Sequence, residues 1–328
     1  VVPDGRLIPA ELTILPDRAP IVVRAGTRQV GVLPGMYRAA SIQWSWSASS
    51  GEIWPADEVT SPGQAIFMPP PTSEHVVLTA KAAIRLERPA GGGVETHTVN
   101  VARSIHLLTP VTGALLSGGI IDGYNIGEYL DPNDPEVRRR YGITSSVYEM
   151  YPDRFAVPEW FYRVTPEIKD MHIAEHQTLG LHVIDFPWKS LGMPQYIALD
   201  VNLVRKIEDL RALMVADGFQ ISEFKAIYGF RPPSFNLGKI DEEADTTLKV
   251  PFSQHQYGRA LDLIIDEDGD LKLDDLNKDG KIDIYDAAVI MHYVNILDRQ
   301  YRAEGRMEIV GGAGLYTHND FLERSAAV

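Results

Sequence analysis

The sequence predicts a multidomain protein in which an all-β N-terminal domain precedes an α+β domain. The chain has 328 residues, more than one typical domain needs, and 45% of them are hydrophobic, so each part can build a core. Short apolar or alternating runs separated by glycine and proline fill the first third. From about residue 165, patterns typical of helices and of strands follow one another.

Residues 1–105 are predicted to form the all-β domain, a sandwich. Strand-like runs recur at the spacing of such a fold, with turn clusters such as Ser61-Pro-Gly63 between them. The runs are Ala19–Arg24, Ile42–Ser47, Ala65–Met68, His75–Ala80 and Thr96–Val101. The stretch from Trp44 to Ala80 resembles a bacterial immunoglobulin-like repeat. That resemblance implies an immunoglobulin-like spacer or adhesion module without catalysis.

Residues 106–164 are predicted to be a connector rich in glycine and aromatic residues. Gly118–Tyr129 is glycine-rich, and Asp131–Pro135 is a turn. Two interpretations of the seven aromatic residues after position 136 are open: a stacking platform for sugars, or packing of one domain against the next. Packing is favoured, because irregular segments need large side chains to hold them in place.

Residues 165–328 are predicted to form the α+β domain. Asp200 is a good N-cap for a helix that Gly218 closes, with an apolar stripe at the helical period. Phe224–Gly229 indicates a short strand, Ala287–Leu297 a buried helix, and Glu308–Tyr316 a closing strand with a glycine turn. The stripe consists of Leu203, Ile207, Leu210 and Met214.

Charge and composition exclude several classes of function. The net charge of −14 argues against a nucleic-acid partner, and the absence of cysteine excludes disulfides and thiolate metal sites. The sequence contains no run of 18 uncharged apolar residues, so it predicts no membrane-spanning helix. Ten acids and three lysines lie between Asp262 and Asp286, so half of the net charge falls in 25 residues. Apolar residues are interleaved with these acids, which favours neutralisation by cations over a solvated tail.

The acidic stretch has the ligand spacing of a calcium loop. With Asp275 as position 1, oxygen ligands fall at positions 1, 3, 5, 9 and 12, and Gly280 stands at the sharp turn of position 6. Ile282 at position 8 is predicted to point into the core. The predicted calcium ligands are Asp275, Asn277, Asp279, the Lys281 carbonyl, Asp283 and Asp286. A second, incomplete set, Asp266, Asp268 and Asp270, is a candidate for another calcium.

A helix follows this loop and none precedes it, so the loop resembles the EF-hand-like half of a dockerin. A dockerin has two such repeats, whereas this chain has one, inserted at about 264–298. The insert is therefore predicted to be structural. Because calcium is abundant outside the cytoplasm, the protein is predicted to be extracellular, periplasmic or at the cell surface.

A second metal signal comes directly before the insert. His255 and Asp262 can supply two ligands to zinc if the backbone bends between them, and Gly258 and Ala260 give the clearance for that bend. Such a pair is a candidate site for a zinc hydrolase, which also needs a third ligand, a water molecule and an acid/base.

Four blocks of the chain, in order, resemble the M15 family of zinc peptidases, the D-alanyl-D-alanine carboxypeptidases and related enzymes. Ser253-x-His255-x-x-Gly258-x-Ala260-x-Asp262 resembles the family's zinc motif, and Tyr228-Gly-Phe-Arg231-Pro-Pro its S-G-Y-R block, with Tyr228 at the usual serine. His176–Gly180 resembles the entry segment, and Gly311–Tyr316 the G-G-x-G-x-Y strand.

The resemblance implies a secreted zinc metallopeptidase that acts on peptidoglycan stem peptides, as a D,D-carboxypeptidase or endopeptidase. It implies that His255 and Asp262 bind zinc and that Arg231 is catalytic, stabilising the oxyanion. Peptidoglycan peptides, and possible further surface proteins, are the partners it implies.

The end of the sequence departs from the family pattern, which supplies the third ligand and the acid/base from a final strand. Aligned on Phe321, Glu323 falls at the ligand histidine and Ser325 at the acid. Three readings are open: the chain is degenerate, it stops before the true strand, or His318 or Glu323 substitutes as a ligand. The alternative function is therefore a catalytically inactive structural or cell-wall-binding subunit of an extracellular assembly.

Overall fold

The structure is a computed structural model. It describes residues 11–25, 38–55, 63–90, 93–174, 178–183, 186–187, 192–222, 224–242, 251–270, 272–315 and 326–327. The chain divides into two compact units, Asp17–Thr109, and Val1–Pro16 with Pro110–Val328. The segment predicted as a connector, 106–164, belongs almost entirely to the second unit, and the predicted boundary at 105 falls inside a strand.

Strands dominate the described residues. They are β1 Glu11–Ile14, β2 Ile21–Arg24, β3 Arg38–Ala48, β4 Glu52–Pro55, β5 Gln64–Met68, β6 His75–Ala90, β7 Gly93–Leu108, β8 Val111–Thr112, β9 Ile120–Ile121, β10 Tyr124–Asn125, β11 Trp160–Val164, β12 His172–Ala174, β13 Thr178–His182, β14 Gln195–Ile197, β15 Phe224–Tyr228, β16 Asp262–Ile265 and β17 Ala326–Ala327. The helices are α1 Pro135–Tyr141, α2 Val147–Met150, α3 Val201–Ala216, α4 Pro233–Glu242 and α5 Ile284–Glu304.

The unit Asp17–Thr109 consists of two antiparallel sheets, β3–β6–β7 and β2–β5–β4. Each sheet buries one row of apolar side chains: Ala65 and Phe67 in one, Val76 and Leu78 in the other, all fully buried. Four of the five strand-like runs of the sequence lie within β3, β5, β6 and β7, and the run Ala19–Arg24 contains β2. The immunoglobulin-like character of this unit stays a prediction.

The larger unit contains several small sheets. Strand β11 pairs with β8 and β14, β16 pairs with β15 and β17, and β12 pairs with β1 in parallel and with β13 antiparallel. The Tyr162 hydroxyl donates to the Leu15 carbonyl at 2.7 Å, and both groups are shielded from water. The start of the described chain is therefore part of this unit.

Helix α3 forms as its sequence predicts. The Asp200 side chain accepts the Asn202 amide at 3.0 Å at the N-terminus, and Gly218, with φ +96°, follows the last turn. The whole predicted stripe is buried, and each leucine contributes about 1.5–3 kcal/mol by leaving water. Helix α3 packs against α5. The hydroxyl of Tyr301 on α5 donates a hydrogen bond to Asp209 on α3, and that of Tyr293 donates to Asp217, which directly follows α3.

The aromatic residues of the predicted connector pack around the turn that carries His255. Tyr148 contacts Phe155 and Phe252, with ring centroids 4.6 and 5.3 Å apart, and Phe155 contacts Tyr257 at 5.9 Å. The Tyr129 hydroxyl donates to the Gln256 carbonyl at 2.6 Å, and burial raises the pKa of Tyr129 well above its usual value. These side chains pack within the unit that contains Pro110–Val328, whereas the sequence analysis favoured packing of one domain against the next.

One predicted element differs. The segment Glu308–Tyr316 was expected to be a closing strand, but Met307–Ile309 is a 3-10 turn, and residues 310–315 lie in no named strand. Three glycines in this segment disfavour a strand, because they have no side chains to pack across a sheet. No helix of the described residues has the length and apolarity needed to cross a membrane.

Candidate metal centre

His255 lies in a tight 3-10 turn, Gln254–Tyr257, closed by Gly258. Gly258 has φ +66°, and a Cβ there would lie 2.4 Å from the Ala198 carbonyl oxygen, so no other residue fits without movement. The Gly258 carbonyl accepts the Asp200 amide at 2.9 Å. The glycine of the predicted zinc motif therefore serves the close approach of this turn to the start of α3.

Asp262 is the first residue of β16, a strand buried at every position. The His255 Nε2 and Asp262 Oδ1 atoms are 3.3 Å apart, and the two side chains are only 9% and 4% exposed. The structure thus brings together the two predicted zinc ligands, although seven residues separate them in the chain.

The orientation of His255 is determined by its other ring nitrogen. Nδ1 lies 2.8 Å from the Gly229 carbonyl oxygen, and because a carbonyl can only accept, Nδ1 carries the proton. In the neutral ring, Nε2 then presents its lone pair to the Asp262 carboxylate. Two acceptors at 3.3 Å repel each other unless a proton or a cation lies between them.

Arg231 is bound to the same turn through its backbone. Its amide donates to the His255 carbonyl at 3.1 Å, and its Nη1 donates to Asn236 Oδ1 at 3.3 Å. Asn236 is itself buried and donates to the Pro251 carbonyl. The block Tyr228–Arg231 therefore lies beside the His255 turn, and Tyr228 is the register partner of Asp262.

A cavity of about 820 Å³ opens next to the pair. Four stretches of the chain line it: residues 153–154, 200–206, 254–262 and 307–314. His255, Asp262 and the glycines of the Gly311–Gly314 block are among these residues, whereas Arg231 is not among the lining residues that the structure describes. Three of the four blocks that resemble the peptidase family thus converge on one region, and His176 of the fourth lies outside the described residues.

A buried ion pair, which the sequence did not indicate, supports one wall of the cavity. Lys206 Nζ on α3 lies 2.6 Å from Asp298 Oδ1 on α5, with the two side chains 6% and 5% exposed. The same Asp298 oxygen accepts the Gly311 amide at 3.3 Å, and a Cβ at Gly311 would come within 3.2 Å of Lys206 Nζ. No local pattern could have joined residues 92 positions apart.

The candidate third ligands, His318 and Glu323, lie outside the described residues, as do Tyr316, Phe321 and Ser325. The short strand β17 that follows them is described, and its Ala327 is the register partner of Asp262. Residues Ala326–Ala327 therefore run antiparallel to the strand that begins with the predicted ligand.

The predicted calcium loop closes on itself. Asp286 is fully buried, and its two carboxylate oxygens accept the amides of Asn277 and Asp283 at 3.1 and 2.8 Å. Asp275 accepts the amides of Asp279 and Gly280, the latter with φ +84°. Asn277 Oδ1 and Asp279 Oδ1 accept the amides two residues further on, and Asp283 caps α5. Asp286 at position 12 thus joins the end of the loop to its beginning, and Asp275 at position 1 holds the turn at positions 5 and 6.

One expectation for this loop was wrong. Ile282, predicted to point into the core, is 48% exposed. The apolar residues that the structure buries here are Leu273 and Leu276, before the turn, while Ile284 is half-buried. The loop is therefore anchored from its N-terminal side and by Asp286 rather than by the residue at position 8.

The second acidic cluster in the structure differs from the predicted set by one residue, with Asp274 in place of Asp270. Carboxylate oxygens of Asp266, Asp268 and Asp274 all lie within 4.8 Å of one another, the one such group of three among the described residues. Asp270 of the predicted set instead accepts the Lys272 amide at 2.8 Å. Burial, together with the negative charges of Asp268, Asp266 and Glu267, raises the pKa of Asp274. The ninth position of an EF-hand-like count from Asp266 would have identified Asp274.

Comparison of the chain with protein-family models, with curated protein sequences and with solved structures gives no match.

Proposed function

We propose that the chain is a zinc-metallopeptidase-like protein of the D-alanyl-D-alanine carboxypeptidase type, acting on peptidoglycan stem peptides outside the cytoplasm. One observation carries this proposal. His255 Nε2 and Asp262 Oδ1 lie 3.3 Å apart at the wall of a cavity of about 820 Å³, and the Gly229 carbonyl holds the imidazole in the orientation a metal needs.

The donor set fits zinc. An imidazole nitrogen and a carboxylate oxygen are both common zinc donors, and ligating histidines usually donate their second N–H to a carbonyl or carboxylate. A cation between His255 Nε2 and Asp262 Oδ1 also removes the repulsion between the two acceptors. The family takes its third ligand from a final strand, and His318 and Glu323, which align near that strand in the sequence, are the residues to test first.

A zinc ion held at this pair supplies Lewis-acid polarisation of the peptide carbonyl and of the attacking water. The residues of the chain do the rest. His255 and Asp262 hold the ion, the Gly229 carbonyl keeps the proton on Nδ1, and the cavity admits the peptide. Arg231, joined to the His255 turn by its amide, is the proposed donor to the negative charge that develops on the carbonyl oxygen.

The test measures metal and product together. The chain is incubated with zinc, bound zinc is measured by elemental analysis, and release of D-alanine from a peptide ending in D-Ala-D-Ala is followed. His255→Ala is expected to lower both the zinc affinity and the rate of D-alanine release at least 100-fold. The reason is that changes to residues that only support a ligand already alter metal affinity by about 10–100-fold. His292→Ala, a change at an exposed histidine on α5, is the matched control.

The outcomes separate the two functional hypotheses. Release of D-alanine that depends on His255 supports the peptidase. Binding of zinc and of stem peptide without release would instead identify the inactive, cell-wall-binding form. Failure to bind zinc at all would contradict the peptidase, and stem-peptide binding alone would then decide whether the inactive, cell-wall-binding form is correct.

Calcium is the second ion of the proposal, with a structural role. The loop Asp275–Asp286 carries the EF-hand spacing, and the buried Asp286 at position 12 accepts the amides of Asn277 and Asp283. The cluster Asp266, Asp268 and Asp274 is a second candidate for calcium. Such sites are filled where calcium is abundant, which supports a location at the cell surface, in the periplasm or outside the cell. Calcium titration of the chain and of Asp286→Asn by calorimetry tests this point.

A further inference from the structure

Two arginines line the same cavity as His255 and Asp262, and each is held in place. Arg259 Nε lies 3.3 Å from Asp200 Oδ2, and its Nη1 donates to the Asp153 carbonyl at 3.3 Å. Arg154 follows Asp153 directly, and its guanidinium lies 5.2 Å from the centre of the Tyr151 ring. Because the Asp153 carbonyl binds Arg259, the two arginines belong to the same wall.

We infer that Arg154 and Arg259 form a subsite for the free carboxylate at the C-terminus of a peptide ligand. This inference rests on the proposed function, because it names the class of peptide that the cavity accepts. A guanidinium presents five N–H donors in a planar fork that matches a carboxylate, and the described contacts of Arg259 use Nε and Nη1 alone. The side chain is 38% exposed, so its remaining donors are accessible from the cavity.

The charges around the subsite favour a single carboxylate over a polyanion. Asp200 is already engaged, since its second oxygen caps α3 at the Asn202 amide. Asp153 and Glu308 also line the cavity, so a ligand with many negative charges would be repelled. A peptide with one terminal carboxylate can bind the arginines and carries too little negative charge to be repelled by Asp153 and Glu308.

The distance along the chain is compatible with this assignment. Arg259 is three residues from Asp262, a span of at most about 11 Å. A substrate whose scissile bond lies at the metal pair would therefore place a carboxylate within one or two residues of that bond near Arg259. This is the geometry of a carboxypeptidase rather than of an endopeptidase, which acts on internal bonds.

The test is a binding measurement that does not require turnover. The intact chain, in calcium-containing buffer without zinc, is titrated by calorimetry with an acetylated tripeptide ending in D-Ala-D-Ala and with the same peptide as its C-terminal amide. The acid is expected to bind about tenfold or more tightly than the amide, because hydrogen bonds to a charged group are the stronger kind. Arg259→Gln and Arg154→Gln are each expected to reduce this preference severalfold. Arg259→Lys, which keeps the charge but loses the fork, should retain part of it.

Arg139→Gln removes an exposed arginine on α1 that does not line the cavity, and it is expected to keep the full preference. Arg154 is itself exposed, so its variant folds even if the Arg259 variant does not. Equal binding of acid and amide by the unchanged chain, no binding of either, or a preference that survives both glutamine variants would overturn the subsite. A preference for the acid together with no zinc-dependent release would leave the subsite intact and refute only the peptidase.

Discussion

Gly258 and Gly229 help to position His255, because each allows a close backbone contact beside it. A Cβ at Gly229 would lie 2.4 Å from the Phe186 carbonyl oxygen, and one at Gly258 would lie equally close to the Ala198 oxygen. Both glycines therefore permit backbone contacts that no other residue allows, and the Gly229 carbonyl then orients the imidazole. The motif therefore contains residues that are needed for close backbone packing as well as residues that are candidates for chemistry.

Substitution of Gly258 by alanine tests this requirement. The change combines a left-handed backbone, which disfavours a side chain by about 1–2 kcal/mol, with overpacking that typically adds about 1–3 kcal/mol. We expect Gly258→Ala to lower the free energy of unfolding by roughly 3 kcal/mol. Gly218→Ala is the control, because its φ is +96° but no atom lies within 4 Å of the added Cβ. Equal losses in urea unfolding would show that the close approach to Ala198 is unimportant.

The pair Lys206–Asp298 provides a second prediction. Removing one partner of a buried ion pair leaves an uncompensated charge, which destabilises by about 3–5 kcal/mol, whereas replacing both by apolar residues is often nearly neutral. We expect Lys206→Met and Asp298→Leu each to lower the free energy of unfolding by about 3 kcal/mol. The double change Lys206→Met with Asp298→Leu should lower it by less than either. Additive losses in a double-mutant cycle would contradict the pairing.

At this scale the sequence proposes His255, Asp262, Arg231 and the loop acids, because each lies in a local motif. The structure brings His255 Nε2 and Asp262 Oδ1 within 3.3 Å of each other, whereas Arg231 is not among the described residues that line the cavity. The sequence missed Lys206 and Asp298, whose relation exists only after α3 and α5 pack. It also did not include Asp274, whose carboxylate lies with those of Asp266 and Asp268.

Helix α5 connects the acidic loop with the cavity. It begins at Asp283, whose side chain accepts the Tyr285 amide, and it carries Asp298, which holds both Lys206 and the Gly311 amide. Twenty-one residues of one helix thus join the proposed calcium loop to a wall of the proposed metal centre. The insert therefore contributes, through Asp298, to the wall of the cavity beside His255 and Asp262.

The acidic cluster that precedes this loop makes stability depend on pH. The folded-state pKa of Asp274 is raised, so in the calcium-free protein the folded chain binds a proton there more tightly than the unfolded chain. The contribution of Asp274 to stability therefore increases as pH falls through the raised pKa and levels off below the ordinary value near 3.8.

We expect calcium-free Asp274→Asn to be more stable than the unchanged chain at neutral pH, because it removes a charge from beside Asp266 and Asp268. The difference should vanish as pH falls through that window, where Asp274 is protonated. Thermal unfolding in chelator across that pH range checks this, with Asp170→Asn, an exposed change, as control. A difference that grows in acid would contradict the sign.

Among the elements, those with local signals were predictable and those without were not. Helix α3 has a cap, a stripe and a closing glycine within its own residues, so the sequence predicts it from end to end. The segment 308–316 has the glycines of a family strand, yet whether such a segment pairs depends on a neighbour that its sequence does not specify. Strand β16 joins β17 instead.

The division into units is a property of the whole chain that periodicity cannot reveal. Glu11 pairs with His172 in a parallel register, so the first described strand belongs to the unit that resumes at Pro110. The connector aromatics join the same unit because they pack on Phe252 and Tyr257. Both contacts span more than 90 residues, and a boundary drawn from composition places them on the wrong side.

This division yields a prediction about calcium. Both acidic sites lie in the unit that contains Pro110–Val328, so calcium should stabilise that unit and leave Asp17–Thr109 unchanged. A ligand at 100 times its dissociation constant stabilises by about 2.7 kcal/mol. We expect a chelator to increase amide exchange in α5 and in residues 307–315, because Asp298 connects them, with no change in β2, β4 and β5. Asp286→Asn should reproduce the effect in calcium, whereas Asp170→Asn should not. If β2, β4 and β5 lost protection together with α5, calcium would stabilise both units rather than the one that contains the acidic loop.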